Sequence, residues 1–276
     1  MDWNKAKTIF IVVFSILNIF LYSLYFNQRS EAQNVALIGR TSLEEVLKQD
    51  NITYDVPQNV KTKSSYISAK IATFSKDELD GLKDQTIMLL ENDTTIQSKL
   101  TTDVAVKDSN NQYQFDHFLA NYVYAGNEYS EWEINETEQK AVFFQVTGDE
   151  PIYFSPNAML TVYWDDEGNI TGYTQKMLKS FSNYNHKELL TPVEAVGSLV
   201  TRGYVKPDSK VQYVKLGYST LVQLQETQVF APTWNVRVEL KDGQVEEHFI
   251  NAIEGKVIEF QLNPPQETDE DEVEEE

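Results

Sequence analysis

The chain holds three histidines, His117, His186 and His248, and no cysteine. No two of these histidines stand at a metal-ligand spacing. Neither HExxH nor GxSxG occurs, so the zinc-protease helix and the serine-hydrolase elbow are both missing. His186 and Glu188 sit in a polar stretch that reads as a loop. His248 alternates with Phe249 in a strand pattern that turns its ring toward solvent. The run Asp165-Asp166-Glu167-Gly168-Asn169 looks superficially like a calcium loop. An EF-hand, however, needs Gly at its sixth position and Glu at its twelfth, where this chain has Ile170 and Lys176. A hairpin turn is the better reading. The eleven glycines are single and read as turns, so there is no phosphate-cradling loop, and no carboxylate pair stands out as a glycosidase acid and base. Without cysteine there are no disulfides, thiolate metal sites or thiol catalysis. The expectation is a protein that is not an enzyme, with no metal and no cofactor.

One polar pattern does point to a contact. Ser15, Asn18, Tyr22 and Tyr25 recur at spacings of three, four and three, which places them on one face of a helix. The remaining face of that helix is largely Ile, Val, Leu and Phe. Lipid cannot hydrogen-bond the Asn18 amide, whereas a neighbouring helix can. These four residues are therefore the candidate partner-binding face. The competing reading has Ser15 bonding back within its own helix, the tyrosines marking the lipid interface, and Asn18 merely tolerated.

The element that must carry this stripe is residues 9–26, eighteen residues without a charge or a proline. At ~1.5 Å per residue such a helix is about 27 Å long, close to the ~30 Å hydrocarbon core of a bilayer. Trp3 precedes it, and Tyr22 and Tyr25 lie near its far end, as interfacial anchors do. Lys5 and Lys7 come before it, while Arg29 and Arg40 follow among Glu31, Glu44 and Glu45, a slight bias toward a cytoplasmic N-terminus. A cleaved signal peptide would have a shorter apolar core and a small-x-small site directly behind it, and Ser30-Glu31-Ala32 lies too far on. The expectation is a signal anchor in the plasma membrane: residues 1–8 as a cytoplasmic stub, 9–26 as a single transmembrane helix in contact with lipid, and the bulk of the chain extracellular.

Charge excludes another class. Acidic residues number 43 against 23 basic ones, a net charge of −20, and phosphate binding needs clustered Lys and Arg, so no nucleic acid is expected. Residues 267–276 hold eight acids, and without them the net charge falls to −12. Residues 263–276 read as a disordered acidic tail behind Asn263-Pro264-Pro265.

Between anchor and tail the composition is that of a folded region. A helix is predicted at 42–50, capped by Thr41 or Ser42, followed by a strand at 66–74 and a helix capped by Ser75. AVFFQV at 141–146 reads as a buried strand, and 159–178 as a hairpin around 165–169. Residues 191–203 have Thr191 as N-cap, Pro192 in the first turn and Gly203 as the stop. WNVRVEL, VEEHFINAI and VIEFQL form a meander with turns at Asp242-Gly243 and Glu254-Gly255. Helices followed by antiparallel strands predict an α+β fold with helices packed on sheets. A weak echo relates TSLEEVLKQDNITY (41–54) to TPVEAVGSLVTRGY (191–204). It suggests two tandem helix-plus-sheet modules, at 27–150 and 151–262.

Two segments carry a family resemblance. MDWNKAKTIFIVVFSILNIFLYSLYFNQ closely resembles the N-terminus of the YycI (WalI) family, membrane-anchored accessory proteins of low-GC Gram-positive bacteria. Residues 216–260 are similar to the family's C-terminal part, with Pro232-Thr233-Trp234 leading a strand and Phe249-Ile250-Asn251-Ala252 before a Gly turn. The two cover about a quarter of the chain; the second is shared in outline with peptidase-propeptide-like modules. The resemblance implies a regulator that acts with a YycH-like (WalH) protein on a sensor histidine kinase of the YycG (WalK) type, whose response regulator controls cell-wall metabolism. It implies contacts that run partly through transmembrane helices, and supplies no residue-level sites. The alternative is an extracellular binding or propeptide-like module that holds a wall enzyme inactive, with the helix as a passive anchor.

Overall fold

The computed structural model of the chain describes residue 7 and residues 10–23, 40–54 and 61–260. Residues 10–23 are helical (α1) and every one of them is exposed. The helices that follow are α2 (Arg40–Gln49), α3 (Lys76–Leu79), α4 (Phe115–Tyr122) and α5 (Pro192–Thr201), with a 3-10 turn at Gly126–Glu128. The strands are β1 (Thr53–Tyr54), β2 (Lys63–Ile71), β3 (Gln85–Leu90), β4 (Thr95–Leu100), β5 (Tyr129–Asn135), β6 (Lys140–Thr147), β7 (Glu150–Tyr153), β8 (Met159–Trp164), β9 (Ile170–Gln175), β10 (Leu178–Glu188), β11 (Lys210–Gln223), β12 (Thr227–Glu239), β13 (Val245–Asn251) and β14 (Val257–Ile258).

Hydrogen bonding links these strands in the order β10-β2-β12-β11-β7-β6-β8-β9-β4-β3, with β1 beside β11, β13 and β14 beyond β12, and β5 on β6. The pairing is antiparallel except where β11 meets β1 and β7. The α+β architecture expected from the sequence, mostly antiparallel sheet with few helices, is the one observed. Strand partners cross residue 150 in both directions. β2 lies between β10 and β12, and β8 and β9 pair with β6 and β4.

Two main cores hold the helices. α4 buries Phe115, Phe118 and Leu119 against Phe143, Leu160, Val162 and Tyr173 of β6, β8 and β9. α2 and α5 bury Leu43, Leu47, Ala195, Val196 and Leu199 against Trp234, Val236, Val238 and Ile250. The start of α5 follows its sequence signals. The Thr191 hydroxyl accepts from the Glu194 amide while Glu194 reaches back to the Thr191 N–H, a capping box with Pro192 in the first turn. Its end has Gly203 at φ 78°, a left-handed position that a side chain would strain.

Several boundaries differ from expectation. α2 runs from Arg40 to Gln49, and the Thr41 and Ser42 side chains expected to cap it lie outside the described residues, as do residues 1–6 and the tail from 261 on. β2 spans 63–71 rather than 66–74, because Ala72 and Phe74 turn their amides to Met177 and Asp93 outside any strand. The helix behind Ser75 has its capping box but stops after one turn, at Asp80 and Gly81. β14 keeps two residues of the expected VIEFQL strand. His248 does not face solvent: its side chain is 13% exposed and its ring lies edge-on to Tyr204. It shares the helix-covered face with Val236, its register partner on β12.

Candidate interaction surfaces

In α1 the spacing of Ser15, Asn18 and Tyr22 holds, and the helix puts all three on one exposed face. Tyr25 lies outside the described residues. The Asn18 amide donates to the Phe14 carbonyl one turn back, at 2.8 Å. That bond uses one of its two N–H groups, so the other N–H and the side-chain carbonyl remain for a neighbour. Among the described residues no helix is long and apolar enough to cross a membrane, and the expected span 9–26 reaches into undescribed positions at both ends.

The folded region offers a second surface that sequence spacing did not reveal. A groove of about 830 Å³ lies between β5 and the helix-free face of β11, β12 and β13. Its floor is aromatic. Phe144 and Tyr153 are buried, Trp132 is half-buried and stacks on Phe144 at 5.0 Å, and Phe249, Phe154 and Phe260 continue the cluster behind them. A bulge at Trp132, where Glu131 opposes Phe143 and Glu133 opposes Val142, gives the ring its place on the floor.

The wall opposite β5 is a polar network. The Glu247 carboxylate accepts from Arg237 at 3.1 Å, from the Tyr213 hydroxyl at 3.1 Å and from the Asn235 amide at 2.6 Å. Arg237 Nε also donates to Gln212 at 3.0 Å, and the Lys215 ammonium lies 4.5 Å from the centre of the Tyr213 ring. Burial, with Glu247 adjacent, pushes the Tyr213 phenol up from its ordinary value. Across the groove, partial burial with Asp116 nearby pushes the Glu131 carboxyl up. Glu131, Glu133 and Asp149 form no ion pair among the described residues, and the lysines whose fields reach Glu133 and Asp149, Lys140 and Lys61, are already paired with Glu138 and Glu150, so the β5 side keeps an excess of negative charge.

Sequence reasoning missed this groove because its parts come from positions 130–153, 213–215 and 235–247. A signal did exist: in WNVRVEL, Asn235 and Arg237 alternate with Trp234, Val236 and Val238, the mark of a strand with one apolar and one polar face.

The other sequence candidates are dispersed. His117 is exposed on α4, His186 lies on β10 with its Nε2 3.5 Å from the Ser65 hydroxyl, and His248 is on β13. Among the described residues no group of three His, Asp or Glu could hold a metal ion. Asp165–Asn169 forms the expected hairpin turn, with the Asp165 carboxylate accepting from the Glu167 and Asn169 amides at 3.1 and 2.8 Å.

Among solved structures, the chain is similar to an uncharacterized protein from Eubacterium rectale ATCC 33656, at 12% identity and a TM-score of 0.46, over 77% of this chain and 92% of that one. It is also similar to the Bacillus megaterium YpeB C-terminal domain, at 13% identity and a TM-score of 0.38, over 79% and 95% respectively. A comparison with curated proteins finds no match. The YycI protein family matches residues 31–253, which is most of the chain. The chain belongs to the YycI family. Membership implies a non-enzymatic regulatory protein associated with the WalRK two-component system, in a family that is membrane-anchored.

Proposed function

We propose that this protein is a plasma-membrane accessory regulator of a WalK/YycG-like sensor histidine kinase and acts with a YycH-like partner. In this reading residues 9–26 span the membrane with the N-terminus cytoplasmic, and both the helix and the extracellular region make contacts. The family match over residues 31–253 carries the reading, and the polar stripe of α1 agrees with it.

The energetics are of the right size. A helix that binds one kinase conformation better than another by ~1.4 kcal/mol changes their ratio about tenfold. One interhelical hydrogen bond contributes about 0.6–2 kcal/mol. With one N–H already bonded to Phe14, Asn18 still has an acceptor and a donor to give.

The test is co-purification of the full-length chain with the WalK-like kinase from solubilised membranes, wild type beside Asn18→Leu, with wall-hydrolase transcription read in parallel. The expected result is that Asn18→Leu inserts and folds normally, recovers several-fold less kinase and shifts transcription. Normal binding and regulation by the variant would move the regulatory contact off the helix. Replacing 9–26 by an unrelated apolar span separates the two readings further. A passive anchor survives that exchange with regulation intact.

A further inference from the structure

Four consecutive residues of β5, Ser130 to Glu133, line the groove. Side chains alternate across a strand, so a groove lying on a sheet face meets only every second residue. β11, β12 and β13 behave that way, contributing Tyr213 and Lys215, Asn235 and Arg237, Val245 and Glu247. On β5 the bulge at Trp132 breaks that alternation, which lets both Trp132 and Glu133 turn toward the groove while Glu131, opposite Phe143, stands at the strand's rim. Among the described residues β5 pairs with β6 alone, so its second edge has no strand beside it.

Charge says what kind of strand would fit there. Glu131 and Glu133 of this strand and Asp149 in the turn after β6 line the groove without ion pairs among the described residues, with only the more distant fields of Lys140 on Glu133 and Lys61 on Asp149, whereas Glu247 on the far wall is already held by Arg237. The chain's own tail is a poor occupant. Phe260 packs on Phe154 and Phe249 beside the floor, with ring centres 4.7 and 4.9 Å apart, and the sequence beyond it carries eight acids at 267–276. Those acids would be repelled by the edge and would instead raise the local concentration of a cationic partner.

We propose that β5 accepts an extended, basic segment of a partner protein as an added strand, with Lys or Arg side chains beside Glu131 on one face and apolar side chains on Trp132 and Phe144, rimmed by Glu133 and Asp149, on the other. Main-chain hydrogen bonds to the β5 edge supply the affinity, and the alternating side chains supply the selection. This site does not rest on the kinase reading, since any partner with such a segment would use it.

The experiment titrates the full-length chain in detergent micelles, at about physiological salt to screen the tail. The probe is a blocked synthetic peptide of alternating Lys and Val, and tryptophan emission and calorimetry are the readouts. Two further peptides carry N-methyl groups on one or the other alternate set of amides, and a fourth replaces Lys by Glu. A strand directs successive N–H groups to opposite sides. One methylated set should therefore lose roughly tenfold or more in affinity, while the other stays within about twofold of the parent. The Glu peptide should bind at least about tenfold more weakly. Glu131→Lys with Glu133→Lys, both at exposed positions, should cut binding of the Lys peptide by a similar factor with the circular dichroism unchanged. A chain ending at Leu262 should keep the contrast between the two methylated sets. Equal affinity for both methylated peptides, or a contrast that vanishes with the tail, overturns the proposal and leaves only attraction to an acidic surface.

Discussion

At the residue scale, His248 gives stability a definite pH dependence. Its Nε2 lies 3.3 Å from a Glu246 carboxylate oxygen, yet burial lowers its pKa below the ordinary 6.5, outweighing the upward pull of Glu246 and Glu247. The unfolded chain therefore binds this proton more readily than the folded one. The stability this neutral ring contributes is complete above about pH 6.5 and is lost as pH falls from there toward the lower folded pKa. Carboxylates such as Asp208, held down by Lys241 and Asn51, begin to act only at still lower pH. Urea midpoints between about pH 7.5 and 5.5 cover the range in which this loss begins. His248→Gln should flatten that part of the profile, and parallel slopes for variant and wild type would remove His248 as the cause. Its position was misread from sequence for a simple reason. In VEEHFINAI the acids on one side of His248 suggest an exposed face, but His248 shares its face with Ile250, which α5 helps to cover.

At the scale of elements, the echo between 41–54 and 191–204 takes on physical meaning. The two helices it relates pack on each other, and Gly197 of α5 lies against the Leu43 side chain of α2. A Cβ built there would lie 2.1, 2.6 and 2.8 Å from three atoms of the Leu43 side chain. Alanine at 197 would gain about 1 kcal/mol of helix propensity. It would also evict the whole Leu43 isobutyl group from its buried site, which costs about 1–3 kcal/mol. Gly197→Ala should therefore destabilise the fold by roughly 1 kcal/mol. Leu43→Ala alone opens a cavity and should cost about 2–5 kcal/mol. In the Gly197→Ala background it should cost clearly less, because the new methyl fills part of the vacated space. Additive free energies from urea unfolding would show that the helices do not meet there. The elements legible beforehand were those with local chemistry: the Thr191 capping box, the 165–169 turn, and β6 with its buried Phe143 and Phe144. β10 was not legible. LKSFSNYNHKE lacks a hydrophobic period, and it is a strand because β2 pairs along it through two bulges, near Ser180 and Asn185. A local pattern cannot announce a strand whose partner lies more than a hundred residues earlier.

At the scale of the molecule, the question is whether the expected modules, 27–150 and 151–262, could stand alone. Their strands are exchanged. The first would keep β2 without β10 and β12, and β4 and β6 without β9 and β8. The second would keep α5 without Leu43, Leu47 and Ile52 of its core. The core around α4 would lose Leu160, Val162, Ile170 and Tyr173. Each fragment would thus expose long unpaired strand edges together with half a core, a state that aggregates rather than folds. Cooperative unfolding of a small domain depends on an intact core. The expected outcome is that neither fragment shows a urea transition by itself, while co-expression yields a two-chain complex that unfolds in a single step. β7 makes that single step necessary, because it hydrogen-bonds β6 on one side and β11 on the other and so ties both groups of strands together. Tandem modules in chain order require the opposite result, two separate transitions that survive cutting the chain near residue 150. The fragment experiment therefore decides whether a load on the β5 groove can reach α2 and the N-terminal segment through one cooperative body.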